Sequence, residues 1–185
     1  MNPEDPYMGL YDLSFYDVIE RNAVSFGQQL CWHEVDDSRK LTFTDYRDQV
    51  KTLAAGFSQI GINKGDRIGV VGKNSLEFFL IYGAAAFLGA IVLPINWRLS
   101  ADEICFNLND CSPKIVFIDE EFQASLQAKR EELPSVTAYY NLKGDSGSLT
   151  SFAALTQEKS SAVPADVSGD DGFVIIHTAA VAGRP

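Results

Sequence analysis

The residues best placed to do chemistry lie at the end of the sequence. An apolar run, Gly172-Phe173-Val174-Ile175-Ile176, leads into His177-Thr178-Ala179-Ala180-Val181-Ala182-Gly183-Arg184-Pro185. The run reads as a buried strand and the residues after it as a loop of small side chains. In such a loop nothing shields the backbone N–H groups, so they can converge on an anion. His177 ends the strand, where a packing or lining role is expected rather than acid–base work.

Other reactive side chains are sparse. Cys31, Cys105 and Cys111 form an odd set without a C-x-x-C pair, the pattern of reduced thiols in a cytoplasmic protein. Cys105 and Cys111 are six residues apart and should face different sides of a helix. No metal site is expected, because the chain has 2 histidines and neither has a partner at ligand spacing. No residue within the chain is expected to be catalytic. No G-x-G-x-x-G follows the first buried strand and no G-x-x-x-x-G-K-[ST] is present, which argues against a dehydrogenase-type cofactor site and a Walker loop.

The elements that must position the loop follow from patterning. The arm 1–14 reads as irregular, and Ser14 can cap a helix from Phe15 to about Ser25 with Val18 and Ile19 inward. Leu30 to Val35 and Lys40 to Phe43 flank Asp36-Asp37-Ser38 as a hairpin. Thr44 is the expected cap of a helix with Tyr46, Val50, Leu53, Ala54, Phe57 and Ile60 on one face, stopped by Gly61. Strand–helix units then repeat: strand 66–71, a helix capped by Asn74 or Ser75 and running to about Leu88, strand 91–95, a helix opened by the capping box Ser100-x-x-Glu103, strand 114–118, helix 122–133, strand 136–140, a flexible loop 144–148 and a short helix 149–155. Residues 156–171 read as an exposed connection to the last strand, 172–177.

Alternating apolar strands and helices predict an α/β fold, a mainly parallel sheet with helices on both faces, preceded by a small helix–hairpin segment. Its parts are the arm, helix and hairpin (1–43), the strand–helix units (44–155), the connection (156–171), and the strand with its loop (172–185). Ligands of such sheets bind beyond the strands' C-terminal ends, where this loop lies. The uncharged stretch 78–95 is near the lower limit for a membrane span, but Gly89 divides it and Pro94 closes it. A buried helix and then a buried strand are expected, with no transmembrane segment. The net charge of −10 speaks against nucleic acid and anionic membrane surfaces as partners. At 185 residues, with 46% hydrophobic and 22% charged residues, the chain can form one full core.

The terminal loop resembles the phosphate loop of the AMP-forming adenylating enzymes, whose pattern is an aromatic residue followed by Thr-Ser-Gly-(Ser/Thr)-Thr-Gly-x-Pro-Lys. Thr178, Gly183 and Pro185 match; Ala179, Ala180, Val181 and Ala182 depart from it. Further likenesses follow in the family's order: Leu41-Thr42-Phe43-Thr44-Asp45-Tyr46, Gly61-Ile62-Asn63-Lys64-Gly65-Asp66-Arg67-Ile68, Gly89-Ala90-Ile91-Val92-Leu93-Pro94-Ile95-Asn96, and Asp110-Cys111-Ser112-Pro113-Lys114. The spelling Asn96-Trp97-Arg98-Leu99-Ser100 is most similar to the acyl-CoA and fatty-acid ligase branch, although Arg98 itself reads as structural.

The resemblance implies an incomplete N-terminal part of a larger adenylate-forming domain. The family lysine, the adenine site, the acyl pocket and the C-terminal domain are expected beyond Pro185, so residues 1–185 alone should be inactive. It further implies ATP, Mg²⁺ and CoA as substrates of the whole enzyme, a small carboxylic acid as co-substrate with a fatty acid foremost, a cytoplasmic location, and a fold compatible with a homodimer. The ATP phosphates would be held by Thr178, Ala179, Ala180, Val181, Ala182, Gly183 and Arg184. Ala179, Val181 and Ala182 carry no side-chain donor, and Ala180 lacks glycine's freedom at positive φ. Two readings therefore stand: an acyl-CoA ligase segment, or a noncatalytic relative acting as a binding module.

Overall fold

The computed structural model describes residues 13–144, 148–157 and 162–178. The arm 1–12, residues 145–147 of the loop expected to be flexible, residues 158–161 of the connection, and Ala179 to Pro185 lie outside the described residues.

Helix α1 (Phe15–Phe26) opens on a full capping box: Ser14 accepts from the Asp17 amide while the Asp17 side chain accepts from Ser14. Strands β1 (Leu30–His33) and β2 (Lys40–Thr42) pair antiparallel as the expected hairpin. Helix α2 (Phe43–Gln59) follows at once. Its cap is Thr42 and not Thr44, because Thr42 has an acid three residues on: its hydroxyl accepts from the Asp45 amide and its own amide donates to Asp45. The residue three beyond Thr44 is Arg47, which cannot reciprocate, and the Thr44 amide is spent on Gly27 O.

The parallel sheet has the order β4-β3-β5-β6, from β3 (Arg67–Val71), β4 (Ile91–Ile95), β5 (Ile115–Ile118) and β6 (Ala138–Asn141). Successive side chains alternate between two cores, as a pleated strand requires. Ile68, Val70, Val92, Ile115 and Phe117 face a core shared with α1, α2 and α3 (Leu76–Leu88). Val71, Leu93, Ile95, Val116 and Ile118 face a second core under α4 (Ala101–Cys111) and α5 (Glu120–Gln127). Both faces are covered, as the continuous apolar runs predict.

Helix α3 is buried nearly all round, and Gly89 at φ +67° ends it in the left-handed conformation. Ser75, not Asn74, is its cap. The stretch 78–95 is thus the end of a core helix and a core strand, and no helix among the described residues is long and apolar enough to cross a membrane. The hairpin is fastened to α3 by polar contacts: the Leu76 amide donates to Glu34 Oε2 at 3.0 Å, and Arg39 Nη1 donates to Glu77 Oε1 at 2.6 Å.

Three further expectations change. The helix expected at 122–133 begins earlier and splits. Glu120 and Glu121 occupy the first turn of α5, where acidic residues suit the helix dipole. Pro134 disfavours helical backbone at Leu133, so the chain tightens into a 3-10 turn at Arg130–Glu132. The segment expected as helix 149–155 is a 3-10 turn, Phe152–Thr156, in which Phe152 and Leu155 reach the core. The strand expected at 172–177 pairs only through a bridge between Val92 and Val174. It has β4 on one side and no strand on the other among the described residues, so the pairing does not extend.

Candidate functional site

The short run Phe173 to Ile175 docks on β4. The Val92 amide donates to Phe173 O at 2.9 Å, and the Ile175 amide donates to Val92 O at 3.0 Å. The run therefore lies parallel to β4, at the sheet edge. Phe173 turns into the first core, stacked on Phe15 with ring centroids 5.0 Å apart, and Ile175 turns into the second. One step on, Ile176 is 67% exposed. Thr178 follows, exposed and without regular structure. Of the seven residues expected to hold phosphate, Thr178 is described; Ala179, Ala180, Val181, Ala182, Gly183 and Arg184 lie outside the described residues.

His177 has partners that sequence spacing hides. Its side chain is 13% exposed, and Nε2 lies 3.3 Å from Asp110 Oδ2 and 3.9 Å from Cys111 Sγ. These residues are 66 and 67 positions away, on the last turn of α4. That turn is held from both ends. Ser100 and Glu103 form the expected capping box at the helix start. At the other end Ser112 takes the left-handed conformation, and Arg67 donates to Cys111 O at 2.8 Å and to Ser112 O at 2.9 Å. No pattern in the primary structure links His177 to this turn, because the link exists only once the run 173–175 docks on β4.

Burial raises the pKa of all three thiols: Cys31 to about 11, Cys105 with help from Glu132, and Cys111 with help from Asp110. None is poised as a nucleophile at neutral pH, since the thiolate is the reactive form.

The other strands end in a second polar region. Asp119, after β5, is buried and accepts from the Lys73 amide at 2.8 Å; burial raises its pKa and that amide opposes the rise. Gly72 makes room for it, since a Cβ there would lie 2.7 Å from Asp119 Oδ2. Lys73 Nζ pairs with Glu121 at 2.6 Å and sits 5.0 Å from the Trp97 ring centre, while Arg98 stacks on the same ring at 4.1 Å. The Arg98 side chain is itself exposed. An open cleft lined by Asp36, Lys73, Asp119, Glu120, Glu121 and Lys143 completes this end of the sheet, with both signs of charge present.

Comparison with known proteins gives a consistent result. The family model for the AMP-binding enzyme matches residues 19–185. The chain is similar to the indoleacetate–CoA ligase of Aromatoleum aromaticum, with 31% identity over 149 residues, covering 80% of this chain and 29% of that protein. It is also similar to the long-chain-fatty-acid–CoA ligase FadD13 of Mycobacterium tuberculosis, at 30% identity, 79% of this chain and 28% of that protein. The chain therefore spans less than a third of these two relatives. Among solved structures, a protein from Rhodopseudomonas palustris CGA009 assigned as a long-chain-fatty-acid CoA ligase superposes with a TM-score of 0.85 and 35% identity, over 95% of this chain and 44% of that one.

Proposed function

The chain belongs to the AMP-binding enzyme family, and from that premise we propose that it is the N-terminal segment of an AMP-forming acyl-CoA ligase whose terminal loop cradles the phosphates of ATP. The observations that support the reading are the match of residues 19–185 to the family and the docking of Phe173 to Ile175 parallel to β4 at the sheet edge, three residues before Thr178. In this reading the carboxylate of the acid attacks the α-phosphorus of ATP, giving an acyl adenylate and pyrophosphate. The thiolate of CoA then attacks the acyl carbon and AMP leaves. Mg²⁺, when bound with ATP, would supply charge neutralisation of the phosphates. The contribution of this chain is positioning: backbone N–H groups of residues 179–183, the Thr178 hydroxyl and the Arg184 guanidinium hold the departing pyrophosphate.

A fatty acid is the proposed acid. Its support is the spelling of residues 96–100 and the similarity to FadD13; the similarity to an indoleacetate ligase makes an aryl acid the competing choice. Full-length protein given ATP, CoA and acids from benzoate to long-chain fatty acids is expected to release AMP fastest with a fatty acid. Preference for an aryl acid would overturn that choice, and no AMP release with any acid would overturn the ligase reading.

A noncatalytic relative is the second reading, favoured by the absence of side-chain donors at Ala179, Val181 and Ala182. Once the full-length protein is shown to form acyl adenylate, the variant Ala179→Ser, Ala180→Gly, Val181→Thr and Ala182→Thr tests whether the loop is a weakened cradle. A weakened phosphate cradle gains about 1 kcal/mol per recovered hydrogen bond, which lowers the KM for ATP several-fold. An unchanged KM contradicts that account of the loop.

A further inference from the structure

We propose that Asp110, Cys111 and His177 form a binding site for a zinc-class divalent cation, which would clip the loop-bearing segment to the end of α4. Three ligand atoms of different chemistry, a carboxylate oxygen, a thiol sulfur and an imidazole nitrogen, lie within 4.8 Å of one another. Tetrahedral zinc at its usual bond lengths spaces an N/O pair roughly 3.4 Å apart and an N/S pair roughly 3.6 Å apart. The two separations from the imidazole are 3.3 Å and 3.9 Å, and all three atoms lie within 4.8 Å, so side-chain shifts of about 1 Å bring the set to tetrahedral spacing. A fourth position is left for water, since Asp110 is 59% exposed at the rim.

The frame around two of the three ligands is fixed. Cys111 and Asp110 sit on a helical turn fixed by Arg67 and by the Ser112 conformation, and His177 follows a residue run hydrogen-bonded to β4. The donor set also selects the cation. Thiolate and imidazole suit zinc and cobalt, whereas Mg²⁺ demands oxygen ligands in octahedral array. The site is therefore distinct from any Mg²⁺ that accompanies ATP, and it does not depend on the ligase reading. Binding requires the Cys111 thiol to lose its proton to solvent and leaves the ring proton on Nδ1.

Cobalt(II) is the direct probe. Titrated into the reduced protein, it is expected to give the visible bands of tetrahedral cobalt together with a thiolate charge-transfer band. Cys111→Ser is expected to abolish the charge-transfer band, and His177→Gln to weaken binding at least about tenfold, while Cys105→Ser changes neither. Millimolar Mg²⁺ should not compete, and stoichiometric Zn²⁺ should displace the cobalt. A measurement on the unaltered chain guards against variants that misfold: Zn²⁺ is expected to protect Cys111, located by mass spectrometry, from alkylation while leaving Cys31 unprotected. The absence of a thiolate–cobalt band, a band that survives Cys111→Ser, or equal alkylation of Cys111 with and without Zn²⁺ would each overturn the site.

Discussion

Gly83 shows how finely the first core is packed. A Cβ at this position of α3 would lie 2.3 Å from Val50 Cγ2 and 3.0 Å from the Tyr46 hydroxyl on α2. Gly83→Ala should therefore destabilise the chain by about 1–3 kcal/mol through overpacking, read as a lower urea midpoint with unchanged m-value. A second residue-scale expectation concerns acid. The Thr42 hydroxyl and then the Thr42 amide hold the Asp45 carboxyl below its ordinary value. A depressed carboxylate contributes stability that is present above the unfolded value, near pH 4, and is lost as pH falls through the folded value. Asp45→Asn should thus lower stability at pH 7 and flatten its decline as pH falls below the ordinary carboxylate value; parallel urea curves for both proteins would show it. At this scale the sequence is readable where partners are neighbours. Ser100 and Glu103 declare their capping box within four residues, whereas the partners of His177 are more than sixty residues away and declare nothing.

Elements were legible where a run is apolar on both sheet faces. The runs 67–71, 91–95 and 115–118 are strands almost as read, because each strand alternates between two cores. The run 172–177 carries the same apolar spelling yet pairs only around Val174, since strand formation also requires a neighbour to pair with. This makes the docked run a weak element whose attachment can be cut. Ile175→Pro removes the amide that donates to Val92 O. Hydrogen exchange followed by mass spectrometry should then show protection lost across 173–177 and retained in β3 and β5. Retained protection across 173–177 would mean that side-chain burial of Phe173 and Ile175, rather than the ladder, holds the run.

At the scale of the whole molecule, the layered parallel architecture was legible from the alternation of strands and helices. The order β4-β3-β5-β6 was not, because crossover connections leave no mark in hydropathy. The family was legible through several short motifs in order, and residues 19–185 match its model. The chain spans less than a third of FadD13 and of the indoleacetate ligase, and the proposed function puts the catalytic parts outside residues 1–185. The isolated chain should form no acyl-CoA from a fatty acid, ATP and CoA. The central claim is that the segment after His177 grips the phosphates of ATP, and carboxylate-dependent ATP–pyrophosphate exchange by the full-length protein tests it most directly. Thr178→Val, which removes the one hydroxyl between His177 and Pro185, is predicted to raise the KM for ATP about fivefold, the equivalent of about 1 kcal/mol for one lost hydrogen bond, with the KM for the acid unchanged. No exchange with any acid, or exchange whose ATP dependence ignores Thr178→Val, would contradict the account.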